Sequence, residues 1–134
     1  MTRINAAIPP ANLTNKHLLA EHREIKRIPN AVAKGIAVVD NIPPQFTLGK
    51  GHVKFFYDKQ EYLFQRYLQI YAECKKRGFD VQKYTRAWDP LRQTNVWNRW
   101  KPTAEARELV AERINSKLDI HVSMGMLNWH DLCD

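Results

Sequence analysis

Asp58-Lys59-Gln60-Glu61-Tyr62-Leu63-Phe64-Gln65-Arg66-Tyr67-Leu68-Gln69-Ile70-Tyr71-Ala72-Glu73-Cys74-Lys75-Lys76-Arg77-Gly78 is the stretch that decides the fold. Asp58 with Glu61 three residues on is a helix-start pattern. Leu63, Tyr67, Ile70, Tyr71 and Cys74 then recur at the spacing of one helix face, and Gly78 after Lys75-Lys76-Arg77 is a stop. The pattern predicts a scaffold helix whose aromatic stripe packs in a core, ending in a solvated basic turn that complements the helix dipole. Val53-Lys54-Phe55-Phe56-Tyr57 has the residue types of a strand, but the helix start behind it favours a short extended or turn-like lead-in.

Working towards the N-terminus, residues 41–50 carry Pro43, Pro44 and Gly49 and form a connector. Gly49-Lys50-Gly51 lacks the spacing and the Lys-Ser/Thr ending of a P-loop, so it reads as a turn with Lys50 as a phosphate contact. Before the connector, Asn12 to Thr14 can cap a helix that runs to about Gly35. At about 100° per residue, Leu18, Ile25, Val32 and Ile36 form one stripe, expected to face the core. Lys16, Arg23 and Arg27 form a stripe nearly opposite. His17 and Glu24 lie one above the other between the two.

Towards the C-terminus, residues 80–101 show no clean period and mix Trp88, Trp97 and Trp100 with Lys83, Arg86, Arg92 and Arg99. Such a mixture suits a nucleic-acid surface, because bases stack on rings while cations meet phosphates. The competing and favoured reading for each tryptophan is that it pins a long loop onto a small core. Pro102-Thr103 opens a third helix with Ala106, Leu109, Val110, Ile114 and Leu118 on its apolar side, and Arg113 and Lys117 sit one turn apart on one face. The chain is expected to be all-α, a single compact domain over residues 1–134, with about three main helices and long connecting loops.

Composition narrows the function classes. Lys and Arg number 21 against 14 Asp and Glu, a formal charge of +7, which favours polyanionic partners. No run approaches the roughly 20 apolar residues of a membrane span, and Thr-Arg-Ile-Asn lacks the apolar core of a secretory signal. A cytoplasmic protein, in a bacterial or virus-infected cell, is expected. Cys74 and Cys133 form no Cys-x-x-Cys, and no histidines cluster as a zinc site would need. Cys74 reads as helix core and Cys133 as a tail residue.

The N-terminus carries the chemistry. Removal of Met1 would leave the α-amine of Thr2, with a reference pKa of about 7.7–8.0 against roughly 10.4 for lysine. An unprotonated amine is then available near neutral pH. It can attack an electrophilic carbon and form a Schiff base if a carboxylate manages protons and cationic charge. Glu24 is the candidate carboxylate; the bland alternative is that it pairs with Arg27 in a solvated helix.

Thr2-Arg3-Ile4-Asn5, followed by His17-Leu18-Leu19-Ala20-Glu21-His22-Arg23-Glu24, resembles the pyrimidine-dimer DNA glycosylase/AP lyase family, the phage "endonuclease V" type that repairs ultraviolet lesions. Gly51-His52-Val53-Lys54-Phe55-Phe56-Tyr57-Asp58-Lys59 resembles that family's most readable internal motif. The resemblance weakens from Trp88 to Trp100 and after Leu118. Lys16 stands where the family commonly has glutamine, and His22 where an aromatic is common.

The resemblance implies that the Thr2 amine attacks C1′ of the sugar at the damaged pyrimidine and displaces the base, that the imine permits β-elimination, and that Glu24 stabilises the cation. It further implies that Arg23, Arg27, Arg113 and Lys117 hold phosphates, that Arg3 and His17 hold the site open, and that Trp129, beside His130, serves the lesion from the tail; Lys16, on the basic stripe, is a further DNA contact. The partner is double-stranded DNA with damaged pyrimidines, the protein a monomer, and no cofactor or metal is called for, the iminium being its own electron sink. Two rivals are a non-enzymatic basic DNA-binding protein and an N-terminal nucleophile hydrolase using the Thr2 hydroxyl.

Overall fold

The structure, a computed structural model, describes residues 2–123, with side chains to residue 115. Among them are five α-helices and no strand: α1 (Asn15–Glu24), α2 (Arg27–Ala33), α3 (His52–Phe55), α4 (Gln60–Lys76) and α5 (Ala104–Ser123). Two 3₁₀ turns, Pro10–Asn12 and Thr85–Leu91, complete the regular structure. The all-α compact domain expected from the periodicity is what forms.

α4 is the axis of the core. Leu63, Tyr67, Ile70 and Cys74 are fully buried, against Leu18 and Ile25 of α1, Ile28 of α2, Trp88 and Val110. The end of α4 departs from the expected solvated turn. Lys75 and Lys76 are exposed, but Arg77 reaches back to donate to the Leu13 carbonyl (2.8 Å) and the Asn15 side chain (2.9 Å). It ties the end of α4 to the entry of α1. That entry is capped as expected, the Thr14 hydroxyl accepting the His17 backbone N–H.

The helix expected to continue to Gly35 breaks after Glu24. Pro29 has no N–H to give the Ile25 carbonyl, which instead accepts from Ile28 at 3.3 Å. The chain turns through Ile25 and Lys26 and restarts as α2, placing Ile28 and Pro29 in the core. The predicted stripe is lost beyond the break: Val32 is half-buried, and Ile36 lies beyond the end of α2, 74% exposed.

The lead-in to α4 is a single helical turn, α3, rather than extended chain. Asp58 does not cap α4, whose first residues instead draw on the long loop. Gln60 N–H donates to the Val96 carbonyl (3.0 Å) and Tyr62 N–H to that of Asn98 (3.2 Å), satisfying donors that every helix start leaves over. This is why the loop is pinned. Trp88 is fully buried, Trp97 packs on Phe64, and Trp100 stacks on Phe46 and meets Phe55, Phe56 and Tyr62 edge-on. The tryptophans are core and clamp, as the favoured reading had it. On α5, Ala106, Val110 and Ile114 are buried as expected, whereas Leu109 is exposed; the side chain of Leu118 lies outside the described residues.

Candidate active site

Residues 2–5 form no ladder or helix, yet Thr2, Ile4 and Asn5 are buried. Their backbone donors therefore need side-chain partners. Asn5 presents its backbone N–H (3.2 Å) and its amide nitrogen (2.8 Å) to one oxygen of Glu21. Glu21, itself fully buried, is gripped by both sides of the Arg66 guanidinium, through Nε on Oε2 and Nη2 on Oε1. Burial works against the charge on Arg66, and the Glu21 carboxylate outweighs it, so the guanidinium is held above its ordinary pKa. A further nitrogen of Arg66 donates to the Ile8 carbonyl at 3.0 Å. One buried ion pair thus fastens Asn5 and Ile8 to α1 and α4.

Ile4 is held from another side. Its N–H donates to Nε2 of His52 (2.9 Å), and His52 Nδ1 lies 2.7 Å from the Thr47 carbonyl. A carbonyl only accepts, so Nδ1 carries the hydrogen and Nε2 presents its lone pair. The bond from Ile4 needs the neutral ring, because a protonated Nε2 has no lone pair to offer. Burial lowers the pKa to about 4, although the bond to Thr47 opposes this, while the charges of Arg3 and Arg113 reinforce it. Gly51, at the start of α3, has φ +92°, and a Cβ there would come within 3.2 Å of the Pro43 side chain. Glycine is what lets the chain turn here and present His52 inward.

Thr2 and Arg3 form one wall of a cavity of about 540 Å³ whose other walls are Pro43, the turn Gly49 to His52, Lys54 and Tyr57. Arg3 donates to the Leu48 carbonyl. Arg113 is held below its ordinary pKa by burial and then by the charge of Arg3. Among the described residues no carboxylate lies within ion-pairing distance of Arg3, Lys50 or Arg113. The arrangement is a largely apolar recess whose walls include Thr2 and the cations Arg3, Lys50 and Lys54. A larger cavity, about 720 Å³, lies between residues 7–11 and α4 and contains none of the candidate residues.

The remaining candidates are placed as follows. Glu24 is at the end of α1, 14% exposed, between Arg23 (3.3 Å) and Arg27 (3.9 Å), and is not among the residues lining the Thr2 cavity. The expected pairing with Arg27 is present, joined by one with Arg23. Lys16 is exposed on the first turn of α1, and His17 meets the Thr14 hydroxyl through Nδ1 at 2.7 Å. Lys117 belongs to α5, but its side chain lies outside the described residues, as do Trp129 and His130 altogether. Structure thus brings Thr2, Arg3 and Lys50 to one cavity and pairs Glu24 with Arg23 and Arg27.

Sequence reasoning missed Glu21, Arg66 and His52 as the anchors of the N-terminal segment. Arg66 had a legible signal, a charge one residue from Tyr67 on the buried stripe. His22 is explained too. It is buried against Tyr67, Tyr71 and Tyr84 and meets the Tyr67 hydroxyl at 3.0 Å, so it fills an aromatic's place in an aromatic cluster. Among the described residues no group of three His, Cys, Asp or Glu side chains could hold a metal ion, and no helix is long and apolar enough to cross a membrane.

The family model described as pyrimidine dimer DNA glycosylase matches residues 1–87 of the 134. The match takes in the N-terminal segment, its buried anchors, the Arg23-Glu24-Arg27 cluster and every residue lining the Thr2 cavity. It stops short of Arg113, Lys117 and Trp129. The match covers well over half of the sequence, and the chain therefore belongs to the pyrimidine dimer DNA glycosylase family.

Proposed function

We propose that this DNA glycosylase is also an AP lyase and that both activities run through the α-amine of Thr2, freed by removal of Met1. The amine nitrogen attacks C1′ of the deoxyribose at the damaged pyrimidine, the C1′–N glycosidic bond breaks, and the base leaves with a proton. The sugar ring opens to an imine, which draws electrons from C2′ as a proton is lost there, and the 3′ C–O bond breaks by β-elimination. Glu24 is the carboxylate that stabilises the cationic intermediate and carries the sugar protons. Arg23 and Arg27 take phosphates beside the lesion, with Arg3, Lys16, His17, Arg113, Lys117 and Trp129 as further contacts to the damaged duplex. Extrusion of a nucleotide costs a few kcal/mol and is cheapest where the stack is already distorted.

The observation that carries this reading is Thr2 in the wall of a cavity that Arg3, Lys50 and Lys54 also line, on a buried segment pinned at both Ile4 and Asn5. A nucleophile gains most when its approach is fixed in advance. The test is borohydride reduction in the presence of dimer-containing or abasic duplex, followed by mapping of the cross-linked residue. The expected adduct is on the mature N-terminus. A protein that keeps Met1, moving the amine by up to about 3.6 Å, should lose both base release and strand cleavage. An adduct on a lysine overturns the assignment.

A further inference from the structure

His52 is buried at the wall of the Thr2 cavity, and nothing in the chemistry just described uses it. Together with the Arg3–Leu48 bond, it joins the N-terminal segment to the connector. Its Nε2 accepts from Ile4 N–H at 2.9 Å, and its Nδ1–H donates to the Thr47 carbonyl at 2.7 Å, while its ring packs edge-on to Phe46 and Phe56. Two residues separate the bonded Ile4 nitrogen from the amine of Thr2, a span of at most about 7 Å. The same connector supplies Pro43, Lys50 and the Gly51 turn to the opposite walls of the cavity.

We propose that His52 is a positioning residue for the nucleophile: through the lone pair on Nε2 it fixes Ile4, and so sets where the Thr2 amine meets a sugar held in the cavity. The inference rests on the amine chemistry proposed above. It assigns the division of labour between the two anchors. Glu21 and Arg66 hold Asn5 and Ile8 to the helices, whereas His52 sets the register of the first residues against the wall that faces substrate. Loss of the Nε2 acceptor leaves the Asn5 anchor in place, so the segment stays attached while its tip loses its aim.

The comparison that tests this is His52→Phe, which keeps an aromatic ring and loses both hydrogen bonds, with His52→Gln, whose amide oxygen restores an acceptor. Three quantities are measured on each: the rate of borohydride trapping at Thr2 with abasic duplex under single turnover, affinity for the same duplex, and melting temperature. His52→Phe should trap roughly a hundredfold more slowly, the scale of loss that follows a misplacement of about 1 Å, with affinity unchanged. His52→Gln should recover most of that loss.

A folded His52→Phe that traps at the wild-type rate overturns the proposal, as does a Gln variant no better than Phe. If His52→Phe does not fold, the imidazole tautomer in the wild-type protein decides, read from long-range ¹⁵N couplings. Hydrogen on Nδ1 with a bare Nε2 upholds the proposal, and hydrogen on Nε2 removes it. Failure of the wild type to trap at Thr2 is a different result. It removes the amine chemistry and this inference with it.

Discussion

Glu21 and Glu24 stand three residues apart on α1, and their surroundings could hardly differ more. Glu21 is fully buried, its oxygens taken by Arg66 and Asn5. Glu24 is partly exposed, and its two partners are long cations that are themselves more than half exposed, Arg23 at 61% and Arg27 at 55%. A carboxylate satisfied wholly from inside can do nothing but hold. One held by exposed arginines is available as soon as something competes for them, because exposed pairs contribute only about 0–1 kcal/mol. A phosphate backbone is such a competitor, and would draw Arg23 and Arg27 outward and leave Glu24 its charge for a cationic intermediate. One helix thus carries a structural acid and the proposed catalytic one.

Glu24→Gln separates the two carboxylates most directly. Glutamine keeps size and hydrogen-bonding reach but loses the negative charge and the proton-accepting oxygen. Incision of dimer-containing DNA should fall by about 10²–10⁴, with the melting temperature unchanged and DNA affinity equal or slightly raised. Near-normal incision would make Glu24 as structural as its neighbour.

Glu21→Ala should do the reverse. It strands the Arg66 guanidinium inside the protein and leaves the Asn5 donors without an acceptor, at a cost of roughly 3–5 kcal/mol, read from denaturant unfolding. A loss below about 1 kcal/mol would show that water reaches this pair and that the burial contrast is overstated.

The smallest effect concerns acid. His52 is pushed to about 4, first by burial and then by Arg3 and Arg113, against the bond to Thr47 and the charge of Glu21. Its folded-state pKa lies below the unfolded value of about 6.5, so the unfolded chain binds more protons between those limits. Stability is therefore complete above about pH 6.5 and falls as pH drops towards 4, by on the order of 3 kcal/mol. His22, also lowered by burial, adds loss of the same sign. A melting temperature that stays flat from pH 7 to 4.5 would contradict the neutral, doubly bonded His52.

How much of this was legible in the sequence follows from the physics of each signal. The α4 stripe was, because burial repeats with the helix; so were the Thr14 cap and the core role of the tryptophans. The break before α2 was not, although Pro29 stood in plain view, because a proline's cost depends on which carbonyl it deprives. The N-terminal anchors were invisible for another reason. Asn5 and Glu21, or Ile4 and His52, meet across 16 and 48 residues, and no local period reports such meetings. The roles proposed for Thr2 and Glu24 come from chemistry and family likeness, neither of which says how the two are held.

The carbonyls of Val96 and Asn98, which receive the first amides of α4, lie beyond residue 87, where the family match ends. The boundary of recognisable ancestry is therefore not a boundary of physical independence. A fragment cut there would carry Thr2, Glu24 and both anchors, yet its central helix would start on bare donors, and the aromatic cluster around Phe55, Phe56 and Tyr62 would lose Trp100 as its cover. Two of the bonds that this stretch supplies come from backbone, and any residue provides those, whereas the cover over the aromatic cluster needs the ring of Trp100.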